Sequence, residues 1–156
     1  MTNEDYMMLA VNKARQGIEA GQTPFGASII KNGEVIACSH NRVWKETDPT
    51  AHAEINAIRE AAKKIQSIDL GGSVMFTTCE PCPMCLTAIH WSKIEVVYYG
   101  ATIADAESAG FQELRMPAKE LAQKGGSLLK VERGPCIQEC VALFRKWKDA
   151  GKNSSY

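Results

Sequence analysis

Apolar side chains between residues 4 and 20 recur at three- and four-residue intervals, with Tyr6, Leu9, Ala10, Ala14 and Ile18 on one stripe, the period of an amphipathic helix. Gly21 stands where that helix would stop. Beyond Thr23-Pro24 the pattern changes. Phe25-Gly26-Ala27-Ser28-Ile29-Ile30 and Glu34-Val35-Ile36-Ala37-Cys38 flank Asn32-Gly33, which predicts two strands joined by a tight hairpin. The polar stretch from Ser39 to Asp48 has no regular period and reads as a loop. At Asp48-Pro49-Thr50 a capping side chain and a first-turn proline predict a helix over about 50–65.

Gly71-Gly72 then interrupts, and Val74-Met75-Phe76-Thr77 reads as a short buried strand. Cys82-Pro83 opens a helix running to about Trp91, and Glu95 to Tyr99 is the fourth strand. A long loop is expected over Ala101 to Met116, then a helix from Pro117 to Gln123, a strand from Leu128 to Val131, and a last helix from Pro135 to about Ala150. Helices alternate with strands after the opening hairpin. That order predicts an α/β fold of three layers, α/β/α, with a central mixed five-stranded sheet flanked by helices.

The 156 residues suit one domain spanning 1–156, long enough to bury a core without disulfides. No apolar run approaches the roughly 18 residues of a membrane span, and Met1-Thr2-Asn3-Glu4-Asp5 lacks the basic and apolar regions of a secretory signal. The expected setting is cytoplasmic. Eighteen Lys and Arg balance eighteen Asp and Glu, so composition offers a nucleic-acid partner no support. Six cysteines in such a chain fit metal binding better than a disulfide framework.

Two stretches carry the chemistry: Thr50-Ala51-His52-Ala53-Glu54, and Thr78-Cys79-Glu80-Pro81-Cys82-Pro83-Met84-Cys85. On a helix flank His52 and Glu54 would point about 200° apart. They converge only on a site off the helix N-terminus, and Cys82 and Cys85, three apart at another helix start, can face the same point. Two thiolates and a neutral imidazole balance Zn²⁺ and leave the fourth tetrahedral position open, the pattern of a catalytic zinc. Water there would have its pKa lowered towards roughly 7. Glu54, not needed as a ligand, could take that proton and return it to a leaving group.

His-Ala-Glu followed by Pro-Cys-Pro-Met-Cys resembles the zinc-dependent nucleobase and nucleoside deaminases, whose H-x-E and P-C-x-x-C pattern it matches. From its first helix to its last tyrosine the chain looks like the short bacterial guanine deaminases of that superfamily. The resemblance implies a cytidine deaminase-like fold, one Zn²⁺ per subunit on His52, Cys82 and Cys85, and Glu54 as the proton carrier. Cys79 would be a non-ligand cysteine, and the Cys82 backbone N–H would polarise the base. The implied reaction is hydrolysis at a ring carbon bearing an amine, guanine to xanthine with release of ammonia.

For the substrate, the resemblance extends to Thr23-Pro24-Phe25-Gly26-Ala27, to Asn41 and to the stretch Ala106 to Glu113. It implies a pocket formed by Phe25, Asn41, Ala53, Cys82, Trp91 and Tyr156, with Glu113 as a second catalytic acid. Where relatives have two acids after the loop phenylalanine, this chain has Gln112 and then Glu113. The resemblance further implies a homodimer, in some relatives with C-terminal tails exchanged.

Other readings remain open at this point. Cytosine, another aminated heterocycle or a nucleoside could be the substrate, and a tRNA adenosine deaminase shares the motif. A zinc-stabilised binding module would want a fourth protein ligand and would not need Glu54. An iron–sulfur cluster on Cys79, Cys82 and Cys85 lacks its fourth cysteine at the expected spacing, and a dithiol redox pair is a further option. Phe25 and Trp91 also fit core aromatics, Asn41 a turn residue, Glu113 a solvated charge and Tyr156 a frayed end. His40 and His90 read as structural or surface residues, and Cys136 and Cys140 as small buried hydrophobes.

Overall fold

The computed structural model describes residues 1–152 and 154–156. Helix α1 (Asn3–Glu19) starts at Thr2, whose hydroxyl accepts the Asp5 N–H while Asp5 accepts the Thr2 N–H, a reciprocal cap. Its buried stripe is Met7, Ala10, Val11, Ala14 and Ile18; Tyr6 and Leu9 sit at the margin rather than at the centre. Strands β1 (Gly26–Lys31) and β2 (Glu34–His40) form the expected hairpin, with Lys31 opposite Glu34. Asn32 and Gly33 both take positive φ, 51° and 78°, as the tight primed turn requires.

The supposed loop after residue 38 is partly regular. Strand β2 continues to His40, and Val43–Glu46 forms a single turn, α2. Asp48 does not cap the next helix. Its Oδ1 accepts both the backbone N–H and the hydroxyl of Thr50, at 2.8 and 2.7 Å, closing a local turn of the kind Asp favours. Helix α3 (Ala53–Ile65) begins three residues later, with His52 as its cap residue.

Strand β3 (Ser73–Cys79) leads through Glu80 and Pro81 into α4 (Pro83–Trp91), capped by Cys82. Strand β4 (Val96–Ala101) is followed by α5 (Ile103–Ala109), inside the stretch expected to be a loop. Thr102 and Asp105 cap one another there, a short signal in a segment with little periodicity. Helix α6 (Ala118–Lys124), β5 (Lys130–Arg133) and α7 (Ile137–Ala150) complete the chain. Strand β5 lies two residues beyond its expected span, leaving Leu128 exposed.

The sheet order is β2-β1-β3-β4-β5. Strand β1 runs antiparallel to β2 and β3, whereas β3, β4 and β5 are parallel. Alternate residues feed two cores. Ile29, Met75, Val97 and Val131 pack beneath α3, α4 and α6. On the other face Ile30 and Phe76 meet α1, α5 and α7. The three-layer mixed sheet is therefore as expected, and the carboxyl ends of β3 and β4 open towards the starts of α3 and α4, where ligands collect in such sheets.

Candidate active site

His52 and Cys82 occupy equivalent places: each is the cap residue of a helix, extended at φ −65°, ψ 158° and φ −64°, ψ 166°, with its side chain making no capping bond. Both side chains are free to turn towards one point instead. His52 Nδ1 lies 3.7 Å from Cys82 Sγ and 3.5 Å from Cys85 Sγ. Tetrahedral zinc with normal Zn–N and Zn–S bonds gives N···S edges of about 3.6 Å. The donor set thus has both the chemistry and the spacing for zinc. Among the described residues no fourth His, Cys, Asp or Glu joins this group, which fits an open position better than a closed structural site.

The charges suit a cation. Cys82 is pulled down to about 4, first by the hydrogen bond from Cys85 and then, against burial, by His52. Burial works against charge on His52, but the Cys82 contact and the Glu54 and Glu113 carboxylates more than offset it. Cys79 stands apart: its buried thiol donates to the Thr102 carbonyl at 3.6 Å, so the cluster reading has no support from its position.

Glu54, one residue into α3, is only 6% exposed. Thr77 Oγ1 on β3 donates to its Oε1 at 3.1 Å, and Cys85 Sγ approaches Oε2 at 3.5 Å. Burial raises its pKa, which suits a carboxyl that must both take and give a proton. Thr77 is a site residue that the sequence does not single out: strand alternation puts it on the Met75 face of β3, opposite Phe76, without indicating its partner.

A cavity of about 340 Å³ opens above these groups, within the range of small-molecule sites. Phe25 and Phe111 form its aromatic wall, their ring centroids 4.9 Å apart. Tyr156 closes it from the same chain, with its ring 5.9 Å from His52 and 5.6 Å from Phe111. Gln112 N–H donates to the Tyr156 carbonyl at 3.2 Å, and Asn41 Nδ2 donates to the Tyr156 hydroxyl at 2.6 Å. Glu113 lines the cavity half-buried, and burial followed by the nearby Cys82 charge pushes its pKa to about 7.

Three expected pocket residues are placed otherwise. Trp91 does not line the cavity: it is 79% exposed at the far end of α4, with its ring against His90. Ala53 is wholly buried, its methyl in the core under α3. Asn41 is also fully buried and reaches the cavity only through Tyr156, its Oδ1 accepting the Val43 N–H at 3.0 Å. Phe111, conversely, was passed over as part of a loop, although a lone aromatic after Gly110 marks an apolar anchor. Of the two late cysteines Cys140 is buried and Cys136 half-buried, and His90 is exposed, its Nδ1 paired with Ser127.

Residues 1–101 match the cytidine and deoxycytidylate deaminase zinc-binding region. Over their full lengths the chain is 44% identical to the guanine deaminase of Bacillus subtilis. It is 41% identical to the tRNA-specific adenosine deaminase of the same organism, over 99% of this chain and 98% of that one. Among solved structures, a guanine deaminase from Nitrosomonas europaea superposes with a TM-score of 0.85 at 29% identity, over 94% of this chain and 84% of that one. The zinc residues, the buried glutamate beside them and these full-length likenesses agree: the chain belongs to the zinc-dependent cytidine and deoxycytidylate deaminase family.

Proposed function

We propose that this chain, acting as one unit, hydrolyses guanine to xanthine and ammonia. The observation that carries the choice of a free base is the small walled cavity: Phe25 and Phe111 flank it, and Tyr156 of the same chain lies over it. A planar base fits that space, whereas a base still attached to a polymer would have to displace the tyrosine.

His52, Cys82 and Cys85 hold the zinc, which when bound supplies activation of water near neutral pH. Glu54 accepts a proton from the attacking water and delivers it to the exocyclic amine, which leaves as ammonia while the ring carbon becomes a carbonyl. Glu113, with its carboxyl pushed up to about 7, passes the second water proton to the ring nitrogen whose double bond to the reacting carbon opens, so water's two protons end on ammonia and on that nitrogen. Asn41 holds the tyrosine hydroxyl that caps the base, and Phe25 presents an apolar face to the ring. The backbone N–H of Cys82 polarises the base.

Six unpaired cysteines and a thiolate metal set favour a reducing compartment such as the cytoplasm. No helix among the described residues is long and apolar enough to cross a membrane. For a homodimer the support is a face at the end of α4. Trp91 is exposed there, Ile68 is brought near it through the Leu70–Ser92 backbone bond, and Leu128 through the His90–Ser127 bond. Tyr156 lies over the site of its own chain.

Ammonia release from guanine, adenine, cytosine and guanosine, with a tRNA anticodon stem-loop alongside, tests the reading. Guanine is the expected best substrate. The similarity to a tRNA-specific adenosine deaminase supports a second reading, and turnover of the stem-loop without guanine would establish it and overturn the first.

A further inference from the structure

Glu80 lies in the turn between β3 and α4, two residues before Cys82, and the chemistry above assigns it no part. Its two carboxylate oxygens face different elements. Oε2 accepts the Ile103 N–H at 3.2 Å, and Oε1 accepts the Ala118 N–H at 2.9 Å. Its own N–H donates to the Ala101 carbonyl at 2.8 Å. Ile103 is the first residue of α5 and Ala118 the first of α6. One side chain therefore grips both ends of the stretch 103–118, through charge-assisted bonds of the stronger kind.

Between those ends the chain turns at Gly110, where φ is 109°, and runs without regular structure from Phe111 to Pro117. This part lines the cavity with Phe111, Gln112, Glu113 and Leu114. From Gln112 to Ala118 its other bonds among the described residues are those of Gln112 to Tyr156, of Met116 N–H to the Leu114 carbonyl at 2.8 Å, of Leu121 N–H to the Pro117 carbonyl at 3.0 Å, and the Arg115–Glu107 pair at 2.8 Å. The Arg115 side chain in that pair is 83% exposed, so it constrains the segment weakly.

We propose that Glu80 is the positioning residue for Glu113, tying the loop that carries Cys82 to the segment that carries the second acid. The metal loop and the substrate-side acid are thereby set relative to one another by a single carboxylate. The proposal rests on the reading of Glu113 as a proton-transfer group, but its structural half does not.

The test uses zinc-loaded E80Q. A carboxamide keeps one acceptor oxygen and turns an NH₂ against the other backbone donor, so one end of the segment is released. Exchange of the Ile103 and Ala118 amides, which Glu80 holds, and of the Gln112 and Met116 amides between them should accelerate at least about tenfold, with zinc retained and exchange in β1 and β2 unchanged. For guanine turnover, kcat should fall about tenfold or more in the native background. In an E113Q background E80Q should cause no further fall, since coupled residues are non-additive. A general loss of folded enzyme would lower kcat equally in both. Should E80Q fail to fold, E80D, which keeps the charge but shortens the reach, is measured in its place. Unchanged exchange at Ile103, Gln112, Met116 and Ala118 would overturn the clamp, and additive losses of kcat would overturn its role towards Glu113. If guanine is not turned over at all, accelerated exchange still establishes the clamp while the proposed function falls.

Discussion

Convergence of the zinc donors depends on where two cap residues point. An ordinary helix cap turns its side chain back on the helix, but His52 and Cys82 leave that task undone, and the convergence of residues otherwise about 200° apart follows. Glu54 then sits beside the ligands without joining them. Glu54→Ala should keep one zinc per chain by metal analysis while kcat falls at least about a hundredfold; loss of zinc instead would make Glu54 a ligand. Glu113 carries a sign as well as a role. Its pKa rises from 4.5 to about 7 on folding, so the native state holds the proton more tightly and stability is lost as pH rises through that interval. Relative to the native protein, Glu113→Gln should therefore be matched in Tm below about pH 4.5 and gain on it up to pH 7, with slower guanine turnover at every pH. A Tm difference independent of pH would return Glu113 to a solvated charge.

At the scale of elements, close approach decides what the chain tolerates. Gly26, next to Phe25, faces α1 so tightly that a Cβ would stand 2.1 Å from the Ala10 carbonyl oxygen and 2.9 Å from the Ala14 nitrogen. Both are backbone atoms of a rigid helix and cannot swing aside. Gly26→Ala should cost about 3 kcal/mol, read as a lower urea midpoint; an unchanged midpoint would mean that α1 can move off the sheet. The hairpin, α1, α4 and the sheet were legible because each has local punctuation: Asn32-Gly33, Gly21, Pro83. Helix α5 was not, since seven residues are too few to show a period, and its signal was the Thr102–Asp105 cap alone. Asp48 misled because the same side chain that caps helices also closes turns. The metal set is readable from spacing, whereas Thr77, Glu80 and Phe111 act through contacts that only the tertiary structure reveals, and Trp91, which the resemblance alone puts in the pocket, stands exposed at the end of α4 away from this chain's cavity.

For the molecule as a whole, a parallel β3-β4-β5 half brings the carboxyl ends of two strands and the starts of two helices to one place, and the antiparallel hairpin supplies Phe25 beside it. The balanced charge gives no net attraction for a phosphate backbone. The exposed face around Trp91 should pair two chains. Sedimentation is expected to show about twice 17.1 kDa, and Trp91→Glu should give the single chain; a native protein already sedimenting as one chain would remove the dimer. Three residues hold one zinc on which hydrolysis of guanine depends, and ammonia release from guanine as zinc is titrated into stripped protein reads that dependence. Activity should rise from nothing and break at one zinc per chain; turnover by the stripped protein, or none when fully loaded, would mean that hydrolysis does not run on this zinc.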